Sequence, residues 1–154
     1  MGLVAEILRR RDDRYRLAQL RFDLEDAENE FRSKVQEQKL GRGTDAWDRA
    51  YFDYDTRREF VYAQIDEIET RNAIERARAW RVPIPQRPIS EEPVYDDQYW
   101  SWSNPHGRYY LTDEGKLLLR REANIEMEML FKPWLSWGAL AISVISLTIS
   151  ALKL

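Results

Sequence analysis

Cysteine is absent from the 154 residues and histidine occurs once. Without cysteine there is no disulfide, thiolate metal site or cysteine nucleophile, a composition that suits a reducing compartment. The single histidine, His106, sits in the turn sequence Ser-Asn-Pro-His-Gly. A catalytic base needs a positioned nucleophile and an orienting partner, and none accompanies it in the sequence. No P-loop, dinucleotide fingerprint or Gly-x-Ser-x-Gly elbow is present. Asp23 with Asp26, and Asp66 with Glu69, are carboxylate pairs on helical faces, but they lack the Glu-x-x-His of di-metal bundle sites. The expectation is a protein that is not an enzyme and binds no cofactor or metal.

An excess of positive charge is also missing. Lys and Arg number 24 against 27 Asp and Glu, a formal charge of -3, and without Lys132 and Lys153 the remainder stands at -5. Nucleic-acid binding is driven largely by cations that neutralise phosphates, so an acidic body disfavours it. The start, MGLVAEILRRR, has too short an apolar run for a secretory signal, and Glu6 stands where a myristoylation motif needs Ser or Thr. Leu3, Val4, Ile7 and Leu8 followed by Arg9, Arg10 and Arg11 suit either an anionic membrane surface or a helix start that packs on the body.

Charge is absent altogether from Trp134 to Leu152, in a chain of which 33% is charged. Nineteen helical residues at about 1.5 Å each span nearly the ~30 Å of a bilayer's hydrocarbon core. Eight of them are Leu, Ile or Val, each contributing roughly -0.3 to -0.6 kcal/mol to insertion. Trp134, Trp137, Lys132 and Lys153 are the candidate membrane-interface residues, with Pro133 as the first residue of the span. Lys116, Arg120, Arg121 and Lys132 precede the segment and Lys153 alone follows it, so the positive-inside rule keeps the N-terminal body in the cytoplasm. Ala139, Ser143, Ser146 and Ser150 place small residues on one face, a candidate surface for association of the spans. Those hydroxyls could equally bond back to carbonyls of their own helix.

The expected fold is mainly α. Leu17, Leu20, Leu24, Ala27, Phe31 and Val35 share one helical face, as do Trp47, Tyr51, Tyr54, Val61, Ile65 and Ile68. Between them Gly41 and Gly43 end one helix and Thr44 or Asp45 caps the next, giving an antiparallel, coiled-coil-like helical hairpin over residues 1–81. Its aromatics exceed what a two-helix seam buries, so a second copy, the downstream segment or another protein must cover them. Residues 82–94, with Pro83, Pro85, Pro88 and Pro93, read as an extended Pro-rich linker. Residues 95–131 read as an aromatic β-hairpin, with strands over Gln98–Trp102 and Arg108–Leu111, and a membrane-proximal helix capped by Thr112. Residues 132–154 are the transmembrane anchor. Tyr99, Trp100, Trp102, Arg108, Tyr109 and Tyr110 form the candidate partner surface, since Trp, Tyr and Arg are enriched at interface hot spots. They could instead close a small core.

Tyr110-Leu111-Thr112-Asp113-Glu114-Gly115, with Leu119 four residues on, resembles the wing of winged-helix transcription regulators. That resemblance implies DNA binding, although no trihelical unit with a basic recognition helix precedes it. More of the chain resembles a group of uncharacterised small bacterial inner-membrane proteins. These have a charged helical N-terminal region, a Val-Pro-Ile-Pro-like break (Val82 to Pro85), a Tyr-x-Leu-Thr-x-x-Gly segment (Tyr109 to Gly115) and a final transmembrane helix. This resemblance implies a single-pass protein of the bacterial inner membrane and no activity.

The functional expectation is a scaffold or adaptor anchored by its C-terminus and facing the cytoplasm. Its partners are the lipid bilayer, further copies of itself and an unidentified protein. The first alternative is a membrane-acting effector whose spans oligomerise and permeabilise the bilayer. The second is a membrane-tethered DNA-binding regulator.

Overall fold

The computed structural model describes residues 3–90 and 92–152; the side chains at 3, 135, 136, 139, 141, 144 and 147 to 152 lie outside the described set. Two helices of equal length come first, α1 (Leu3–Glu37) and α2 (Asp45–Ala79). Cross-links that descend along one as they climb the other show that they run antiparallel. Arg9 bonds Glu75 at 2.7 Å, Arg71 bonds Asp13 at 2.6 Å, Arg16 bonds Gln64 at 2.9 Å and Arg57 bonds Glu30 at 2.7 Å. The seam beneath is apolar, with Leu20, Val61 and Ile65 buried and Leu17, Leu24 and Ile68 packed around them. At the far end Phe31 stacks on Tyr54 at 4.9 Å and Trp47 on Tyr51 at 5.0 Å, closing the hairpin with rings.

The turn differs from expectation in one detail. Lys39, not Gly41, takes the left-handed conformation that ends α1 (φ 48°), and Leu40 N donates to Val35 O at 3.0 Å. Gly43 has φ 82°, a backbone that only glycine enters freely. Thr44 then caps α2, its hydroxyl accepting from Trp47 N at 3.3 Å.

α2 stops where Pro83 would forbid its continuation. Arg81 turns left-handed (φ 57°) and Val82 N donates back to Ala77 O at 2.9 Å, which drives Val82 inward. The Pro-rich stretch is extended, as expected, but it does more than set a distance. Pro85 O accepts from Trp100 Nε1 at 3.2 Å, and the Arg87 guanidinium lies 5.1 Å from the centre of the Trp100 ring. Val82, Trp100, Leu111, Leu119 and Ala123 share one buried cluster with Ala77. Residues on both sides of the strap therefore belong to the same core.

β1 (Trp100–Ser103) and β2 (Arg108–Leu111) pair antiparallel, Trp100 opposite Leu111 and Trp102 opposite Tyr109. β1 starts two residues later than expected, because Asp97 Oδ1 accepts from both Tyr99 N and Trp100 N and holds Gln98 and Tyr99 in a bend. α3 (Asp113–Leu152) follows without a break. It lies parallel to α2, as three successive contacts show: Lys116 with Asp66 at 2.8 Å, Arg76 with Asn124 at 2.7 Å, and Trp80 edge-on to Phe131 at 6.5 Å. Pro133 is inside α3 rather than opening a separate helix. Its missing N–H leaves the Met129 carbonyl without its helical donor, a fault tolerated beside the last contact with the body.

Among the described residues no helix is long and apolar enough to cross a membrane. The expected anchor falls largely on positions whose side chains are outside that set.

Candidate functional site

Two places in the fold gather polar or apolar side chains beyond what secondary structure needs. One is the junction of the β-hairpin with α2 and α3; the other is the end of the body from which α3 departs.

At the junction, the Tyr-x-Leu-Thr-x-x-Gly segment has a physical explanation residue by residue. Tyr109 and Leu111 are buried, and Leu111 N donates to the Thr70 hydroxyl at 2.9 Å, fixing β2 to α2. The Thr112 hydroxyl donates to Gln98 O at 2.7 Å and accepts from Gly115 N at 3.1 Å, so one side chain ties the hairpin's first arm to the start of α3. A Cβ on Gly115 would stand 2.6 Å from the Tyr99 carbonyl oxygen and 3.0 Å from Leu111 Cδ2. Only glycine lets the helix approach the sheet this closely.

Lys116 follows directly. Its side chain is 12% exposed and its Nζ lies 2.8 Å from both Asp66 Oδ1 and Glu69 Oε2, with Asp113 at 3.6 Å. Burial alone would lower its pKa, but the bonds to Asp66 and Glu69 outweigh it and hold the ammonium above the ordinary lysine value. The carboxylate pair Asp66 and Glu69 thus has an occupant from the same chain. Among the described residues no cluster of His, Cys, Asp and Glu could hold a metal ion. The charge of Lys116, expected to help set the orientation of the anchor, is locally neutralised by the two carboxylates in contact with it.

His106 Nδ1 is 2.5 Å from Tyr110 Oη and 3.8 Å from Glu67. Burial raises the Tyr110 pKa, helped by the negative charge of Glu67 and opposed by Arg108. The histidine is therefore engaged at the back of the hairpin, in contact with α2.

The candidate partner surface divides under this packing. Trp100, Tyr109 and Tyr110 are buried, Tyr99 and Trp102 are half-buried, and Arg108 is exposed. Trp100 is only 2% exposed, so these three rings act as core and six residues do not form one open patch.

At the other place, Arg9 touching Glu75 and Arg76 touching Asn124 put α1, α2 and α3 at one level. Beyond it α1 has five further residues to Val4, about 7 to 8 Å, whereas α3 reaches Trp134 after ten, about 15 Å. Val4, Ile7, Leu8, Met129, Leu130 and Phe131 are all exposed at this end. Residues 3–11, 75–82 and 121–132 together carry eight Arg or Lys and five carboxylates. Immediately beside them lies a groove of about 860 Å³ whose lining mixes arginines such as Arg10, Arg14 and Arg120 with the carboxylates Glu69, Glu75 and Asp113. The three-helix convergence was not legible beforehand, because Arg9, Glu75 and Asn124 carry no short-range signature.

Of the interface residues, Trp134 and Trp137 are 76% and 70% exposed and Lys132 is exposed; Lys153 lies outside the described residues. Of the small-residue face, Ser143 and Ser146 are exposed, while the side chains of Ala139 and Ser150 lie outside the described set.

No protein-family model, curated protein or solved structure matches the chain.

Proposed function

We propose that the chain is a non-catalytic scaffold held at the cytoplasmic face of a bacterial inner membrane by the second half of α3, with its helical body presented to protein partners and to copies of itself. One observation carries the reading: Trp134, Trp137, Leu140, Ile142 and Ile145 are all more than half exposed. At 100° per residue these five cover about 200° of the helix circumference, twice the ~100° stripe by which a surface helix packs on its own core. Each large apolar side chain left in water forgoes roughly 1.5 to 3 kcal/mol. A solvent that covers such a helix from several sides at once is hydrocarbon.

The body supports the same address. Its α3 exit carries more cations than carboxylates in an otherwise acidic chain, which complements the anionic cytoplasmic leaflet. Trp134 stands about 7 Å further out than Val4, close to the ~5 to 7 Å depth of one headgroup region. With Trp134 at the hydrocarbon boundary, the start of α1 lies at the outer headgroups and the arginines just below. Membrane fractionation of the full-length chain tests this. Retention in the pellet after an alkaline carbonate wash is expected, and release into the supernatant would remove the anchor.

A further inference from the structure

We propose that the outward face of α1 is a homodimer seam on which a second copy of this chain packs in parallel. α1 carries two apolar faces. The one toward α2 is built on Leu17, Leu20 and Leu24. Directly opposite, Val4, Leu8, Tyr15 and Phe22 are 70, 44, 67 and 66% exposed. With Arg11, Ala18 and Glu25 these positions recur at alternating intervals of four and three over three heptads, the 3.5-residue period of a coiled-coil seam.

Lipid cannot cover the Tyr15 to Phe22 part of this face. Phe22 lies thirteen residues past Arg9 on the side away from the α3 exit, about 20 Å below that level and some 35 Å from Trp134. That is far beyond the headgroup layer. A second α1 fits, because a two-fold seam needs the same patch on both partners and this one repeats its own spacing.

Two features set the direction. The inference rests on the anchored reading for the first: copies whose α3 helices enter the same bilayer present their α1 helices side by side in the same sense. The second is charge. Arg14 and Arg21, the latter two-thirds exposed and 3.6 Å from Glu69 of its own chain, flank the seam on one side, and Asp12, Gln19 and Asp26 on the other. In a parallel pair Arg21 of one copy meets Asp26 of the other and Arg14 meets Gln19. An antiparallel pair sets arginine flank against arginine flank and aspartate against aspartate. Arg11 and Glu25 interrupt the seam and keep the contact moderate, so confinement to a membrane, which raises the effective concentration, favours it.

The absence of native cysteine makes the test direct. Leu8→Cys, Tyr15→Cys and Phe22→Cys, each introduced singly into the full-length protein in its membrane, are oxidised and resolved as monomer or disulfide-linked dimer. Lys34→Cys, exposed on α1 but off the seam, is the control. All three seam positions should cross-link to themselves well above the control. Phe22→Glu placed in the Tyr15→Cys chain should lower its dimer yield about tenfold or more, the loss of roughly 1.4 kcal/mol or more at an aromatic contact of the seam. Cross-linking no greater than the control would overturn the seam. Dimer from Leu8→Cys mixed with Phe22→Cys, when neither cross-links to itself, would overturn its parallel sense. Carbonate fractionation of the same samples keeps the two ideas separate. Pelleted protein without cross-links sinks the seam alone, and cross-linked protein in the supernatant sinks the anchor alone.

Discussion

Replacing Gly115 by alanine sets two physical effects of opposite sign against each other. Gly115 is a residue of the first turn of α3, and in a helix alanine is favoured over glycine by about 0.8 to 1 kcal/mol. If α3 merely followed the hairpin, Gly115→Ala would stabilise the protein by about that amount. In the structure, however, the added methyl lands 2.6 Å from the Tyr99 carbonyl oxygen and 3.0 Å from Leu111 Cδ2. The first is backbone, held by the Thr112 N–H at 3.0 Å, and cannot swing aside as a side chain would. Relief requires α3 to move away from the sheet, which loosens Leu119 and Ala123 in the core they share with Leu111. Overpacking of this kind costs about 1 to 3 kcal/mol, so the net expectation is destabilisation. Gly138→Ala is the internal control: it has no neighbouring atom within 4 Å and should stabilise or do nothing. Urea unfolding in mild detergent, followed by hydrogen exchange of amides 99–111, reads the difference. A Gly115→Ala protein at least as stable as the parent would refute the close approach, and with it the docking of α3 on the hairpin.

Lys116→Met should destabilise by about 1 kcal/mol, discounted because Asp66 and Glu69 remain partly hydrated. Its folded pKa is raised, so the lysine's contribution is complete below its unfolded pKa and is lost as pH rises through the folded one. The stability gap between parent and variant should hold from neutral pH into the mildly alkaline range and close only above the ordinary lysine pKa; urea midpoints across pH check this. Leu20→Ala, at a side chain 1% exposed, should cost about 2 to 5 kcal/mol and show first as lost protection of the α1–α2 amides. Ile142→Arg, near the middle of the uncharged segment, replaces a favourable residue with one costing about 2.5 to 3.5 kcal/mol, and should move the chain from the carbonate-washed pellet to the supernatant.

What the sequence made legible follows from the range of each signal. The α1–α2 hairpin, the Thr44 and Thr112 caps and both strands rest on periodicity and turn chemistry that act within a few residues. What it did not reveal involves partners far apart in the chain. Lys116 meets Asp66 and Glu69 across about fifty residues, so in the sequence the lysine reads as a topogenic charge and the carboxylates as a helical-face pair without the ligands of a metal site. Gly115 carries no sequence signal beyond its place in the Tyr-x-Leu-Thr-x-x-Gly segment, because its constraint comes from Tyr99. The Pro-rich stretch could be recognised as extended, but not as a strap over Trp100. Lys39 takes the left-handed turn position because α1 ends at Glu37, four residues before the first available glycine, Gly41. The outer seam of α1 was obscured by the stronger inner one, since two opposite apolar faces cancel in any measure of one-sidedness.

Cysteine scanning of α3 asks whether its second half crosses the bilayer. Single cysteines at Glu128, Ile142 and Lys153, introduced into a chain that has none, are exposed to a membrane-impermeant maleimide on sealed vesicles with the cytoplasmic face outward. Glu128→Cys should label at once, Ile142→Cys only after detergent, and Lys153→Cys only when the vesicles are opened. Prompt labelling of Ile142→Cys in intact vesicles, at the rate of Glu128→Cys, would contradict the crossing.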